Sequence, residues 1–172
     1  MLKINSVVMY GSSGICRVAD IRKEKIGGIE REYYILKPAY DENSTVYVPV
    51  DSDDLHKKIK KVLSPEEIYE LIKNMPDEES DWIVNYKERC EKYKEILDNG
   101  DRYELIKMIR SIHLRSEYLS ESGRKLGNAD RTAMKRAEKL LHEEFALVLN
   151  IEPDEVIPFI MKQIEPSEKK SS

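Results

Sequence analysis

The first fifty residues carry the alternation of apolar and polar positions that is typical of β-strands. Residues 15–22 alternate with period two, as a half-buried strand does. Gly27-Gly28 follows and permits a tight hairpin turn, which predicts a returning strand over residues 31–37. Short strands are also predicted over residues 6–10 and 44–49. Together these segments predict a small curled antiparallel sheet or barrel.

Beyond Asp51 the pattern becomes helical, and little strand is expected there. A capping box with proline at the first helical position stands at residues 64–67 (SPEE), and its helix is predicted to end near Asn74. Caps and hydrophobic spacing predict further helices over residues 81–99, 101–118 and 128–150, and a short last helix from residue 153.

The change of pattern divides the chain into two parts. The predicted fold class is α+β, with a small antiparallel β barrel over residues 1–60 and an all-α helical domain over residues 61–165. The proline and polar residues at 76–80 (PDEES) form a candidate boundary before the later helices. Residues 166–172 are predicted to be a disordered tail.

The distribution of charge changes what the net charge alone implies. The chain of 172 residues has a net charge of −4, which argues against a general nucleic-acid binder. Residues 102–141, however, carry a net charge of +5, and residues 142–172 carry −4. Even on an acidic protein, a local basic surface can bind phosphates. The same residues, however, also fit an ordinary solvated helix face.

The sequence lacks the constellations that most enzymes and metalloproteins require. Cys16 and Cys90 lie far apart with no CxxC partner, and the three histidines are isolated, so no zinc spacing is present. The turn at residues 11–14 (GSSG) is glycine-rich but lacks the lysine and the helix of a phosphate loop. We expect no enzyme activity, metal, cofactor or small-molecule substrate. No signal peptide or membrane span is recognised, which predicts a reduced, cytoplasmic protein.

Two features point to a binding function. The single tryptophan, Trp82, stands at the predicted start of a helix beside charged residues. A lone tryptophan is usually a core anchor, but a half-exposed one can wedge into a DNA minor groove. In the long predicted helix, Arg131, Lys135 and Lys139 recur every four residues and form one ridge, which can follow a phosphate backbone.

Over nearly all of residues 1–150, the sequence resembles the CarD family of bacterial RNA polymerase-binding transcription regulators. The order and spacing of several short motifs carry the resemblance. These are VVMY at residues 7–10 with Gly14, EYYILK at 32–37, TVYVP at 45–49, DWIVNYK at 81–87, and Gly100-Asp101.

The resemblance implies a fold and two partners. The N-terminal module would be a Tudor-like RNA polymerase interaction domain that pairs a strand edge with the polymerase β subunit. The helical module would contact promoter DNA near the upstream edge of the −10 element, with Trp82 as a wedge, and so shift the balance between closed and open complexes. The residues expected at the polymerase are Glu24, Lys25, Ile26, Val46 and Tyr47. Those expected at the DNA are Trp82, Tyr86, Lys87, Arg131, Lys135 and Arg136.

This chain departs from the family pattern at several of these positions. Glu24 and Tyr47 stand where some members have basic polymerase-contacting residues, and Val84-Asn85 stands where some have paired arginines. Fewer phosphate contacts predict weak binding to free DNA. Two functions therefore remain open: a polymerase-tethered factor that contacts DNA, and a protein–protein adaptor that uses the β module alone. A Trp82 that projects beside Lys87 and Arg131 favours the first, and a Trp82 buried in the helical core favours the second.

Overall fold

The computed structural model describes residues 2–74 and 82–171. Its N-terminal part is a five-stranded antiparallel sheet with the strand order β4-β3-β2-β1-β5. The strands are β1 (Val7–Tyr10), β2 (Gly14–Ile26), β3 (Ile29–Pro38), β4 (Val46–Pro49) and β5 (Ile59–Lys61). Helices follow the sheet, which confirms the predicted α+β class with a Tudor-like module first. The candidate boundary at residues 76–80 lies outside the described residues.

Strands β2 and β3 form a hairpin that is longer than the sequence predicts. Ile26 pairs with Ile29 across a two-residue turn, in which Gly27 and Gly28 have φ values of 63° and 80°. Both values lie in the left-handed region that glycine adopts without strain, as a type I′ turn requires. Strand β1 pairs with β2 only as far as Arg17, and β4 begins its pairing with β3 at Tyr33. The tip of the hairpin, residues 23–31, therefore extends beyond both neighbours.

The sheet is completed by a strand that lies after Asp51, where the sequence predicts helices. A short helix, α1 (Asp53–Lys58), is capped by Ser52 and leads directly into β5. Strand β5 pairs with β1, with Ile59 opposite Tyr10 and Lys61 opposite Val8. Three residues are too few to show an alternating pattern, so only the pairing with β1 reveals this strand.

The helical part contains five further helices in the described residues: α2 (Pro65–Lys73), α3 (Tyr86–Asn99), α4 (Arg102–Ser120), α5 (Asn128–Leu149) and α6 (Val156–Ser171). The capping box at Ser64 is present with both of its hydrogen bonds. None of the helices in this described part is long and apolar enough to cross a membrane.

Two helix boundaries differ from those that the sequence predicts. Helix α3 begins at Tyr86 instead of near residue 81, because the Asn85 side chain accepts a hydrogen bond from the Glu88 amide and caps the helix there. Trp82 therefore precedes the helix. Helix α6 runs over Val156–Ser171, whereas the sequence predicts only a short last helix from residue 153.

The sheet and the helices enclose separate apolar cores that meet near the first turn. The sheet core is centred on Val18, Tyr34 and Leu36, and the helical core includes Ile112 and Phe145. A Cβ atom on Gly14 would lie 3.0 Å from Cδ2 of Leu140 on α5, at a φ of +73°. A side chain at this position would therefore require Leu140 to shift and would strain the backbone.

A buried ion pair holds the end of the sheet against the helices. Arg102 of α4 binds both carboxylate oxygens of the fully buried Glu144 on α5, at 2.9 and 2.6 Å. Nη2 of Arg102 also donates to the Lys61 carbonyl at 2.8 Å, and the Leu63 amide donates to Glu144 Oε2 at 3.0 Å. The chain that leaves β5 is thereby bound to both helices.

Candidate functional site

Val46 and Tyr47 lie on strand β4, at one edge of the sheet. They pair with Leu36 and Ile35 of β3, and no strand in the described part of the chain pairs with the other side of β4. The Tyr47 side chain is 43% exposed and stands edge-on to the Tyr33 ring, with centroids 6.2 Å apart. Because Pro49 has no amide hydrogen, the edge offered to another strand is limited to residues 46–48.

Glu24, Lys25 and Ile26 lie at the tip of the β2–β3 hairpin. Ile26 is 46% exposed and its cross-strand partner Ile29 is 63% exposed, so the tip presents an apolar pair to solvent. Glu24 accepts a hydrogen bond from Nε of Arg22 at 2.6 Å, which compensates part of its charge.

The hairpin tip and the free edge are close enough for one partner segment to contact both. Glu24 pairs with Arg31 and Tyr47 pairs with Ile35, and both of these partners are on β3. Four residues along a strand span roughly 13 Å. One extended partner segment is therefore long enough to contact both.

Trp82 is half-buried and packs against the helical core, just before α3. Two guanidinium groups stack on its ring: the Cζ atom of Arg89 lies 4.6 Å from the ring centroid, and that of Arg115 lies 5.4 Å away. Cations at these distances over a tryptophan face attract the ring quadrupole. The cations over the Trp82 ring are thus Arg89 and Arg115.

Arg89 fixes the backbone of the Trp82 segment to α5. Its Nε and Nη2 atoms donate to the two oxygens of the buried Asp130, at 2.8 and 3.4 Å, and its Nη1 donates to the carbonyls of Ile83 and Val84, at 3.0 and 3.3 Å. The Tyr93 hydroxyl donates to Asp130 at 2.7 Å. Hydrogen bonds to Asp130 raise the pKa of Arg89, and burial together with Asp130 raises the pKa of Tyr93. The Arg89 guanidinium therefore stays charged in this position.

The other predicted DNA-binding residues lie on two helices. Tyr86 and Lys87 are exposed in the first turn of α3, and the Arg89 guanidinium lies 5.5 Å from the Tyr86 ring centroid. Arg131, Lys135 and Arg136 are exposed on α5. Asp130 adjoins Arg131 in sequence, so the Arg89–Asp130 pair connects the Trp82 segment to the start of the basic ridge.

Arg136 lies beside the ridge of Arg131, Lys135 and Lys139. Together with Lys139, Val46 and Cys90, it lines a groove of about 970 Å³ between the sheet and helices α3 and α5. Acidic groups, Asp41 and Glu143, line the same groove. The groove therefore carries both signs of charge, and no group of three metal-ligating side chains occurs within the described ranges.

Sequence reasoning missed Arg89 and Arg115. Both have local signals: Arg89 follows Tyr86 by three residues and Arg115 precedes Tyr118 by three, so each pair shares one helix face. Their convergence on Trp82 depends on the packing of α3 against α4, which no local pattern encodes.

Comparison with known protein families assigns both parts of the chain. Residues 2–63 match the CarD-like/TRCF RID domain, and residues 67–160 match the CarD C-terminal domain. The two matches cover almost the whole sequence in the order that the resemblance predicts. The chain therefore belongs to the CarD family of RNA polymerase-interacting transcription regulators, which are transcription factors and not enzymes.

Proposed function

We propose that this chain is a bacterial, cytoplasmic transcription regulator that binds the RNA polymerase β subunit and contacts promoter DNA near the upstream edge of the −10 element. By this contact it changes the stability of the open complex. The observation that carries the proposal is the Trp82 platform, a tryptophan held half-exposed between two arginines on a segment bound to α5.

The polymerase contact is proposed at the free edge of β4 and the hairpin tip. An exposed strand edge can add a strand from a partner, with main-chain hydrogen bonds giving affinity and side chains giving specificity. Val46 and Tyr47 lie on that edge, while Glu24, Lys25 and Ile26 lie at the tip. Tyr47 and Ile26 supply exposed apolar surface that a partner can bury.

The DNA contact is proposed to depend on the polymerase contact. The acidic net charge opposes binding to free DNA. Once the sheet is docked, the helical module is held beside the promoter at a high effective concentration, and a weak contact becomes sufficient. The Arg102–Glu144 clamp supports this arrangement because it fixes the sheet to the helices that carry Trp82.

The adaptor function is retained as a second candidate. Its specific support is that Trp82 is packed against the helical core on one side, as a structural anchor would be. In this alternative the β module alone binds the polymerase, and the helices serve as structural support. A DNA contact at the platform would exclude it.

The polymerase contact is tested with two substitutions and matched controls. Tyr47→Glu combined with Ile26→Asp should reduce binding to the polymerase β subunit by about tenfold or more, because both remove interface apolar surface. Tyr103 and Ile157 are 41% and 54% exposed on helices, so Tyr103→Glu with Ile157→Asp introduces the same charges at comparable exposure elsewhere. Unchanged binding by the first pair would reject this interface.

A further inference from the structure

The two arginines that stack on Trp82 are not equivalent. Arg89 is neutralised by Asp130, and its remaining donors are used by the carbonyls of Ile83 and Val84. Arg115, by contrast, makes no ion pair or hydrogen bond to any residue within the described ranges. Within these ranges, its positive charge therefore has no counterion beside the tryptophan ring.

The position of Arg115 is set by two aromatic rings. Its Cζ atom lies 4.8 Å from the Tyr118 centroid, one turn along α4, in addition to 5.4 Å from Trp82. Cation–π attraction to both rings holds the guanidinium beside Trp82. Arg115 is half-buried, so its rotamer is restricted before any ligand binds.

Of the two arginines over the Trp82 ring, Arg115 is the one without an ion pair in the described part of the chain. Val84 is 84% exposed and apolar, and the Asn85 side chain is used to cap α3. Lys92 and Lys107 lie around the hollow next to Trp82, but Glu104 lines the same hollow and Lys92 pairs with Glu95. A phosphate next to an inserted Trp82 would therefore lie close to the charge of Arg115.

We infer that Arg115 binds a DNA backbone phosphate next to the base step that Trp82 contacts. This inference rests on the proposed function, and it adds a residue that the sequence did not identify. A planar, preorganised guanidinium donates two parallel hydrogen bonds to phosphate oxygens, and the adjoining rings lower the local dielectric and strengthen the attraction. Arg89 then positions the ring, while Arg115 binds the nucleic acid.

The test uses the full chain with polymerase holoenzyme and a promoter fragment over a series of salt concentrations. The quantity measured is the change in open-complex fraction that the chain produces at saturating polymerase binding. Arg115→Gln removes the charge and keeps a planar polar group, Arg115→Lys keeps the charge, and Lys57→Ala removes one exposed charge from α1. Melting curves and Trp82 fluorescence report whether each variant is folded with its ring in place.

Arg115→Gln should reduce the effect on promoter opening roughly three- to tenfold and lower its salt dependence by about one ion. Arg115→Lys should keep the salt dependence, and Lys57→Ala should match the unmodified chain. If Arg115→Gln keeps both the effect and the salt dependence while Trp82→Ala loses the effect, this inference is overturned and the proposed function stands. If Trp82→Ala also keeps the full effect with polymerase bound, the proposed DNA contact is itself overturned.

Discussion

The guanidinium carbon of Arg89 lies 4.6 Å from the centroid of the Trp82 ring, and the same guanidinium is bound to Asp130 on α5. One side chain thus joins the tryptophan, the backbone that carries it and the long helix with the basic ridge. The orientation of Trp82 consequently depends on an ion pair formed across 41 residues of sequence.

Asp130→Asn should destabilise the protein and loosen Trp82. Removing one partner of a buried pair leaves the charge of Arg89 uncompensated, at a cost of about 3 kcal/mol in the free energy of unfolding. Because the chain has one tryptophan, intrinsic fluorescence reports Trp82 alone, and its emission should shift to longer wavelength. Asp154→Asn, at an exposed acid, should change neither stability nor emission. An Asp130→Asn protein that matches this control would show that the pair does not hold the ring.

Trp82→Ala should affect both folding and promoter opening. The ring is half-buried, so we expect a loss of roughly 1–2 kcal/mol of folding free energy, less than for a full core residue. The effect on the open complex should fall by about tenfold per folded molecule, as the loss of an aromatic stack on a base predicts. Thermal melting and promoter-opening assays measure the two separately. Strong destabilisation with a normal effect per folded molecule would favour the adaptor function.

Glu144→Gln should weaken the junction between sheet and helices. Glu144 is fully buried and accepts from Arg102 and from the Leu63 amide, so the neutral side chain leaves the arginine without its counterion. We expect a loss of about 3–5 kcal/mol in unfolding by denaturant. Glu143→Gln is the control, because burial raises the pKa of Glu143 and neutralising it removes a desolvation cost. Equal stability of the two variants would argue against the clamp.

Stability should fall as the pH is lowered through the titration of histidine. Burial lowers the pKa of His142 below its ordinary value of 6.5, so in this window the unfolded chain binds a proton that the folded chain does not. Stability therefore rises with pH between the lowered pKa and about pH 7. His142→Gln should flatten the curve there, whereas His56→Gln, at an exposed position, should not. If the unmodified chain, His142→Gln and His56→Gln show parallel curves of stability against pH, the pH dependence arises from other groups.

The sequence predicts the elements that local rules specify. The Gly27-Gly28 turn, the Ser64 capping box and the start of α4 after Asp101 follow from residues close together in the chain, and the structure contains all three. The sequence predicts too early a start for α3, because its helical pattern includes Trp82. Asn85 is a cap signal, but it competes with an apolar pattern that continues on its N-terminal side.

What the sequence does not predict depends on contacts between distant segments. Strand β5 exists through its pairing with β1, and Arg115 meets Trp82 only after α3 and α4 have packed. Electrostatic compensation separates Arg89 from Arg115. It depends on Asp130, which pairs with Arg89 across 41 residues of sequence.

The central claim is that the Trp82 platform touches promoter DNA while the sheet holds the polymerase. The direct measurement is photocrosslinking in the complex with polymerase holoenzyme, using promoter DNA with a photoreactive base at the upstream edge of the −10 element. Mass spectrometry should locate crosslinks in the segment from Trp82 to Tyr86, and Tyr47→Glu should abolish them by releasing the tether. Full polymerase occupancy without crosslinks in that segment would contradict the account.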